Sequence, residues 1–390
     1  ADSLQLYGPG AGHSIWSYKR AIELLKWHYI MNSDVSPSPS SPTDSVDEAS
    51  ILVGTQEVGM FGARFAAGTR PRMAMFFLSL LFAASPCGRV FAVSTELLFP
   101  EPSIDTGGHP YAVAIGDFNA DGKADLAAVN QESSTVSVVL GNGNGTFAPK
   151  TDYGTGSSPY SVAIGDFNAD GKADLAVANY GANTVSVLVG NGDGSFAMKT
   201  DYGTGSSPYS VAIGDFNADG KADLAVANYG SNTISVLLGI GNGTFAAGVS
   251  YGTGTGPKSV GIGDFDANGK LDLAVACYGS FKVSVLLGNG NGTFAARVDY
   301  QVSVYPSSVA IGDFNGDGKA DLAVANSGAN TVSVLVGNGD GTFAVRANYE
   351  TDGSVYGSSG VAIGDFNSDG KPDLATTNWG SNTVSVLLGN

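Results

Sequence analysis

The sequence predicts an all-β fold, a β-propeller of about six four-stranded blades. Three observations carry this expectation. First, GDFNADGKADLAVAN occurs unchanged at Gly165–Asn179 and Gly214–Asn228, with variants at Gly116–Asn130, Gly263–Ala276, Gly312–Asn326 and Gly364–Asn378. The first Asp of each stretch follows the last by 49, 49, 49, 49 and 52 residues, and a fixed period of this length marks a repeat architecture. Second, each period holds four short apolar runs separated by turn signals, the pattern of a β-meander. Third, Ser94–Pro110 resembles the fourth run of a unit and precedes the first full unit, whereas the last unit stops after its third run.

The first 92 residues are written differently. Residues 1–72 read as a non-native or disordered extension. SPSPSSPTDSVDEAS (Ser36–Ser50) is of low complexity, while Ser14–Met31 has helical spacing at Ile15, Tyr18, Ile22 and Leu25. Two readings stand: open-frame translation upstream of a start at Met73, or a genuine extension with one short helix. Residues 73–92 read as a secretory signal peptide. Arg64, Arg70 and Arg72 precede the apolar run Met73–Ala84, and a small-residue exit leads to Val93. The run is too short for a bilayer span, which needs ~20 residues. Pro86 argues against lipid attachment at Cys87. The remainder, 93–390, is the expected repeat domain, secreted to an extracellular or cell-surface site.

Within Tyr160–Pro208 the elements follow in order: YSVAIGDF, an Asp-rich loop, DLAVANY, a YGAN turn, NTVSVLVG, a GNGDG turn, and SFAMKTDYG before GTGSSP. Both faces of the runs are apolar, so each sheet is expected to be covered on both sides. Stacked sheets of this kind build a propeller or an open array. Counting the leading and trailing runs gives six blades' worth of strands. An N-terminal strand completing the last blade would close the ring and remove its edges. Long helices are excluded by an alphabet with 56 Gly, each costing about 1 kcal/mol against Ala in a helix.

Net charge is −17. From Val93 onward 29 acidic residues face 12 basic ones, and 18 of the acids lie in the six repeated loops. That field repels nucleic acid and anionic membranes. Cys277 replaces the Asn179 and Asn228 of sister units and reads as a small buried hydrophobe.

Each loop reads Asp-x-Asn-x-Asp-Gly-Lys-x-Asp, which places oxygen-bearing side chains at positions 1, 3, 5 and 9. A hard cation such as Ca²⁺ takes six to eight oxygens from carboxylates, amides and backbone carbonyls. The candidate ligands of the first loop are Asp117, Asn119, Asp121, the main-chain carbonyl of Lys123, and Asp125. The second offers Asp166, Asn168, Asp170, Lys172 and Asp174; the third Asp215, Asn217, Asp219, Lys221 and Asp223. In the fourth, Asp264, Asp266, Asn268, Lys270 and Asp272 exchange the third and fifth types. The fifth has Asp313, Asn315, Asp317, Lys319 and Asp321, and the last Asp365, Asn367, Asp369, Lys371 and Asp373. Asp-Gly and Asn-rich turns are also ordinary hairpin chemistry. Plain turns do not call for four oxygen donors at fixed offsets six times over, and uncompensated carboxylates would repel. The expected cofactor is about six Ca²⁺, one per repeat. The loop is not an EF-hand, which needs a Glu where the first loop has Ala128 and helices where these flanks are strands.

IGDFNADGKADLAVAN with its following VSVLLGNGNGTF-type phrase resembles the FG-GAP/VCBS repeat family, over about residues 94–390. It is similar to the calcium-bearing blades of integrin α-subunit propellers and to secreted bacterial repeat proteins. The resemblance implies Ca²⁺ between blade strands one and two, and binding of protein or glycan rather than catalysis. The chain departs in blade count, six against the seven of integrins.

In a meander the first and third turns of every blade share one side, so the Asp-rich loops and GNGDG turns should lie together. The other side should gather Tyr180, Tyr229, Tyr278 and Trp379, with Tyr111, Tyr160, Tyr209, Tyr305 and Tyr356. Aromatic rings among Gly, Ser and Asn make a candidate ligand face; the alternative is that the rings pack between blades. Catalysis has little material. After the leader there is one His, His109, and four Glu, Glu96, Glu101, Glu132 and Glu350. The Asn-Gly-Thr sequons at Asn144, Asn242 and Asn291 read as hairpin turns. The expected function is therefore a calcium-stabilised recognition or adhesion module. A calcium-dependent polysaccharide lyase and a cell-surface scaffold are the alternatives.

Overall fold

The structure, a computed structural model, describes residues 103–352 and 358–389. The expected extension, the signal peptide, Cys87 and Tyr356 lie outside the described residues. Every described element is a strand. The first sheet is β1 (Pro110–Gly116), β2 (Asp125–Asn130), β3 (Thr135–Val139) and β4 (Thr151–Gly154), antiparallel in chain order. The second is β5 (Pro159–Gly165), β6 (Asp174–Asn179), β7 (Thr184–Leu188) and β8 (Thr200–Gly203), and the third β9 (Pro208–Gly214), β10 (Asp223–Asn228), β11 (Thr233–Leu237) and β12 (Val249–Gly252). The fourth is β13 (Pro257–Gly263), β14 (Asp272–Cys277), β15 (Lys282–Leu286) and β16 (Val298–Gln301), and the fifth β17 (Pro306–Gly312), β18 (Asp321–Asn326), β19 (Thr331–Leu335) and β20 (Ala347–Glu350). The sixth has three strands, β21 (Ser358–Gly364), β22 (Asp373–Asn378) and β23 (Thr383–Leu387).

Side-chain alternation explains how the sheets stack. Along Leu175-Ala176-Val177-Ala178 the large residues pack back onto the first sheet, against Ala127, Val129, Val136 and Val138. The alanines face forward, where Leu224 and Val226 of the third sheet press against them. Successive strand residues point to opposite faces, so DLAVAN gives each sheet a large rear face and a small front face. All six residues of β6, β10 and β18, and of β14 where Cys277 ends the run, are buried. The fourth strands lie at the rim, exposed in β8 and β12 except for one half-buried Tyr in each. The expectation of cover on both faces therefore holds for the middle strands and not for the outer ones.

Aromatic rings join neighbouring sheets in a repeated trio. Phe196, from the third turn of the second sheet, lies 5.6 Å from Phe118 and 5.4 Å from Tyr153 of the first, edge to face in both cases. The same trio recurs as Phe167, Tyr202 and Phe245; Phe216, Tyr251 and Phe294; and Phe265, Tyr300 and Phe343. Beside each trio the turn donates a backbone bond to the previous loop, as Gly194 N–H does to Phe118 O at 2.9 Å. The first strands of consecutive sheets run side by side. Tyr111 and Tyr209, two sheets apart, still touch through their hydroxyls. The sheets are therefore arranged about a common axis, as in a propeller: five blades and a partial sixth.

The sixth blade departs from expectation. Ser103–Asp105 align with the fourth-strand residues of sister units, yet Ser103–His109 contribute no strand. The outer edge of β23 carries no fourth strand among the described residues. Two apolar faces stand open at the ends of the array. Val113 and Ile115 of β1 are 61% and 69% exposed, whereas their counterparts Val162 and Ile164 pack on a preceding sheet. Val384, Val386 and Leu388 are likewise exposed at the far end. Cys277 is buried and free, as expected, with Sγ 3.5 Å from Ser284 Oγ.

Candidate metal centres and the opposite aromatic face

The third loop illustrates the local folding. Ala218 and Gly220 both take left-handed backbone, at φ 58° and 78°, which coils the chain so that its own N–H groups point inward. Asp215 accepts from Asp219 N–H at 3.1 Å and from Gly220 N–H at 2.8 Å. Asn217 Oδ1 accepts from Asp219 N–H at 3.0 Å. A second left-handed residue at position 4 is invisible in the motif, because Ala occupies it in four loops.

The ninth position does more than the ligand reading assigned. Asp125, Asp174, Asp223, Asp272, Asp321 and Asp373 are fully buried. Both oxygens of Asp223 accept backbone N–H bonds, from Phe216 at 2.9 Å and from Gly239 at 2.7 Å. Phe216 belongs to the loop and Gly239 to the third turn, so this carboxylate clamps two turns of one blade. The same pair of bonds recurs in all six blades. Burial pushes the carboxyls of Asp174, Asp223 and Asp321 up, and that of Asp272 to about 6, against the pull of the two N–H donors.

The fifth position turns to the lysine beside it. Lys123, Lys172, Lys221 and Lys319 place Nζ 2.9, 3.4, 3.1 and 3.6 Å from Asp121, Asp170, Asp219 and Asp317. The hydrogen bond from Lys123 holds the Asp121 carboxyl below the usual carboxylate range. In the last loop Asp369 instead accepts from Asn367 Nδ2 at 3.0 Å.

The fourth loop brings a metal-ready set together. Asp264, Asp266 and Asp272 each offer an oxygen within 4.8 Å of the others, which makes the one such acidic trio among the described residues. Asp266 Oδ1 is buried without a hydrogen-bond partner. A buried carboxylate oxygen left unbonded costs free energy unless a cation or donor meets it. The all-oxygen donor set suits a hard dication. In this loop positions 1, 3 and 9 converge, while position 5 is Asn268, donating to Asp266 at 2.7 Å.

On the opposite side the expected rings meet one another. Tyr160 stacks on Tyr180 at 4.6 Å, Tyr209 lies 6.0 Å from Tyr229, and Tyr278 stacks on Tyr305 at 4.7 Å. Trp379 is 73% exposed at the corresponding turn of the last blade. His109 Nδ1 lies 3.8 Å from Glu132, with both side chains largely exposed. Sequence reasoning missed Lys258, whose Nζ sits 3.6 Å from the Tyr278 ring centre. The signal was present as PKSV, where three sister strands have Tyr after Pro.

The chain belongs to the FG-GAP-like repeat family, whose model matches residues 117–177, 166–226, 215–275, 264–324 and 313–376. No curated protein sequence matches it. Among solved structures it resembles a lectin of Agrocybe aegerita that recognises non-reducing terminal N-acetylglucosamine. That likeness has 19% identity and a TM-score of 0.51, covering 72% of this chain and 81% of the lectin. A protein from Lactobacillus plantarum matches at 16% identity and a TM-score of 0.54, over 74% of this chain and 87% of that one. The periplasmic gluconolactonase of Pseudomonas aeruginosa matches at 19% and 0.50, over 67% and 77%. At such identities these likenesses bear on the fold alone. No helix among the described residues is long and apolar enough to cross a membrane.

Proposed function

We propose that the chain is a secreted, calcium-stabilised propeller acting as a recognition or adhesion module for protein or polysaccharide, not as an enzyme. The observation that carries this reading is the division of the molecule into two sides. Acidic loops knit to the adjacent turns occupy one side, and clustered, partly exposed tyrosines occupy the other. Half-buried rings offer contact area at low entropic cost. The lectin's fold supports a sugar among the candidate ligands. Calcium would be held by positions 1, 3 and 9, and its role is to stabilise the folded blade.

The decisive experiment screens the protein in calcium against immobilised glycans and extracellular proteins, beside a Tyr229→Ala/Trp379→Ala variant. The expected result is a ligand bound by the parent and at least about tenfold more weakly by the variant, with an unchanged melting temperature. Binding that ignores the substitution, or no binding at all, overturns the reading.

We propose further that the ring closes at six blades, with the segment preceding β1 completing the last sheet. The open faces at the two ends have the two halves of the contact made five times elsewhere: Val113 and Ile115 from a rear face, Val384 and Val386 from a front face. Val113→Cys with Val386→Cys should cross-link within one chain through a short bis-maleimide at high dilution. Failure to cross-link, with both thiols reactive toward a mono-maleimide, rules closure out.

A further inference from the structure

One residue per blade, the second position of its first strand, forms a belt about the axis: Tyr111, Tyr160, Tyr209, Lys258, Ser307 and Ser359. The register with the following strand is the same in each sheet. In the second and third blades the belt residue packs on the aromatic residue of the next turn, as Tyr160 does on Tyr180. In the fourth blade Lys258 takes the tyrosine's place against Tyr278 and also lies 5.4 Å from the Tyr209 ring centre. In the fifth blade the belt and turn positions are both serine, Ser307 and Ser327. The belt therefore passes from three rings, through one cation, to two serines.

Lys258 is half-buried, and burial alone pushes its ammonium below the usual lysine range. No carboxylate of the described residues lies within ion-pair distance of it. Most other loop and strand lysines have one: Lys123, Lys150, Lys172, Lys199, Lys221, Lys282 and Lys319. In a chain of net charge −17 a cation held against two rings and away from acids is a local reversal of the field. Its ring contacts supply part of the lost hydration, and an anion arriving from solvent would supply the rest.

We propose that Lys258, held against Tyr209 and Tyr278, anchors an acidic saccharide, a uronic-acid-type residue whose carboxylate meets the Lys258 ammonium while its hydroxyls meet the polar rim of the tyrosine belt. This deepens the recognition reading above and rests on it. A single cation suits one carboxylate and not a polyanion, which the −17 field repels. The phenol and serine hydroxyls of the belt suit a pyranose, which brings several hydroxyls to bond.

The test is calorimetric titration of the protein at low salt with a panel of trisaccharides bearing a single uronic-acid residue and their methyl esters, beside Lys258→Tyr and Lys258→Met. Lys258→Tyr restores the sister residue, and Lys258→Met keeps the apolar stem, so both should fold. The acid form is expected to bind at least about tenfold tighter than its ester. Both variants should lose that preference while melting at the parent temperature. Equal affinity for acid and ester, or a preference that survives both substitutions, overturns the inference. Binding of neutral glycans alone overturns it while leaving the recognition reading intact, and binding of no glycan on a wider panel overturns both for saccharides. Displacement of bound uronate by a carboxylate-ended peptide of equal affinity overturns the sugar assignment.

Discussion

Replacing Asp223 by alanine is expected to lower stability by about 2–6 kcal/mol in chelator, and by more in calcium, where a ligand is lost as well. The estimate follows from two buried backbone donors, each costing about 1–3 kcal/mol when left unbonded. Asp223 is fully buried and receives Phe216 N–H and Gly239 N–H at 2.9 and 2.7 Å. Removing it orphans one donor in the loop and one in the third turn. It also frees the hinge that brings Phe216 to the inter-blade trio with Phe294 and Tyr251. Asp215→Ala is the comparison. Its carboxylate is bound by two donors of its own exposed loop, where water can substitute. Its stability cost should appear mainly in calcium and shrink to within about 1 kcal/mol in chelator. Denaturant melts of both variants, with and without calcium, read the difference. If Asp223→Ala costs nothing in chelator, the clamp is not structural and the ninth position is a ligand only.

Much of this fold was legible in the sequence because its determinants are local. A 49-residue period, alternating small and large residues in DLAVAN, and turn residues at fixed offsets each follow from short-range sterics. The division of turns between two sides follows from meander topology, and Phe118 O meeting Gly194 N–H bears it out. What was not legible depends on three-dimensional convergence. The motif weights its three carboxylates equally, yet the ninth is buried as a two-turn clamp and the fifth is drawn to a lysine two residues on. Only the fold separates them, since only it brings Gly141 N–H to Asp125 in the first blade, 16 residues away. In the last blade the run before Ser103 lies outside the described residues. Ser103–Asp105 stand at the positions of Asp152–Gly154 but lack the chemistry of the Thr151–Gly154 strand and form no strand. Lys258 escaped notice because a single Tyr-to-Lys change is unremarkable until the sister rings are seen to touch.

Adding 10 mM calcium to chelator-treated protein is expected to raise the melting temperature by more than about 10 °C. Extracellular-type sites bind with dissociation constants on the order of 10⁻⁴–10⁻³ M. At 10 mM each then contributes about 1.4–2.7 kcal/mol by mass action. Six sites in a cooperative unit would sum to roughly 8–16 kcal/mol. Unfolding entropy of about 2 cal/mol/K per residue over the repeat domain converts that to a shift of about 13 °C or more. Blade-to-blade contacts decide whether the sum is realised. The loop of one blade accepts a backbone bond from the next blade's turn, as Phe167 O does from Gly243 N–H at 2.8 Å. Tightening one loop therefore stiffens its neighbour's turn, and the sites should act together. The fourth loop is where binding should begin, because Asp264, Asp266 and Asp272 already converge there and Asp266 Oδ1 lacks a partner. Asp266→Asn, which makes this loop's third position like its sisters', should remove the tightest step of a calcium titration and leave the others. A melt that is indifferent to calcium and chelator, with no heat of binding, would reduce the six loops to turns held by their own hydrogen bonds. The stability of the array would then rest on the carboxylate clamps and the packing of Leu and Val against Ala.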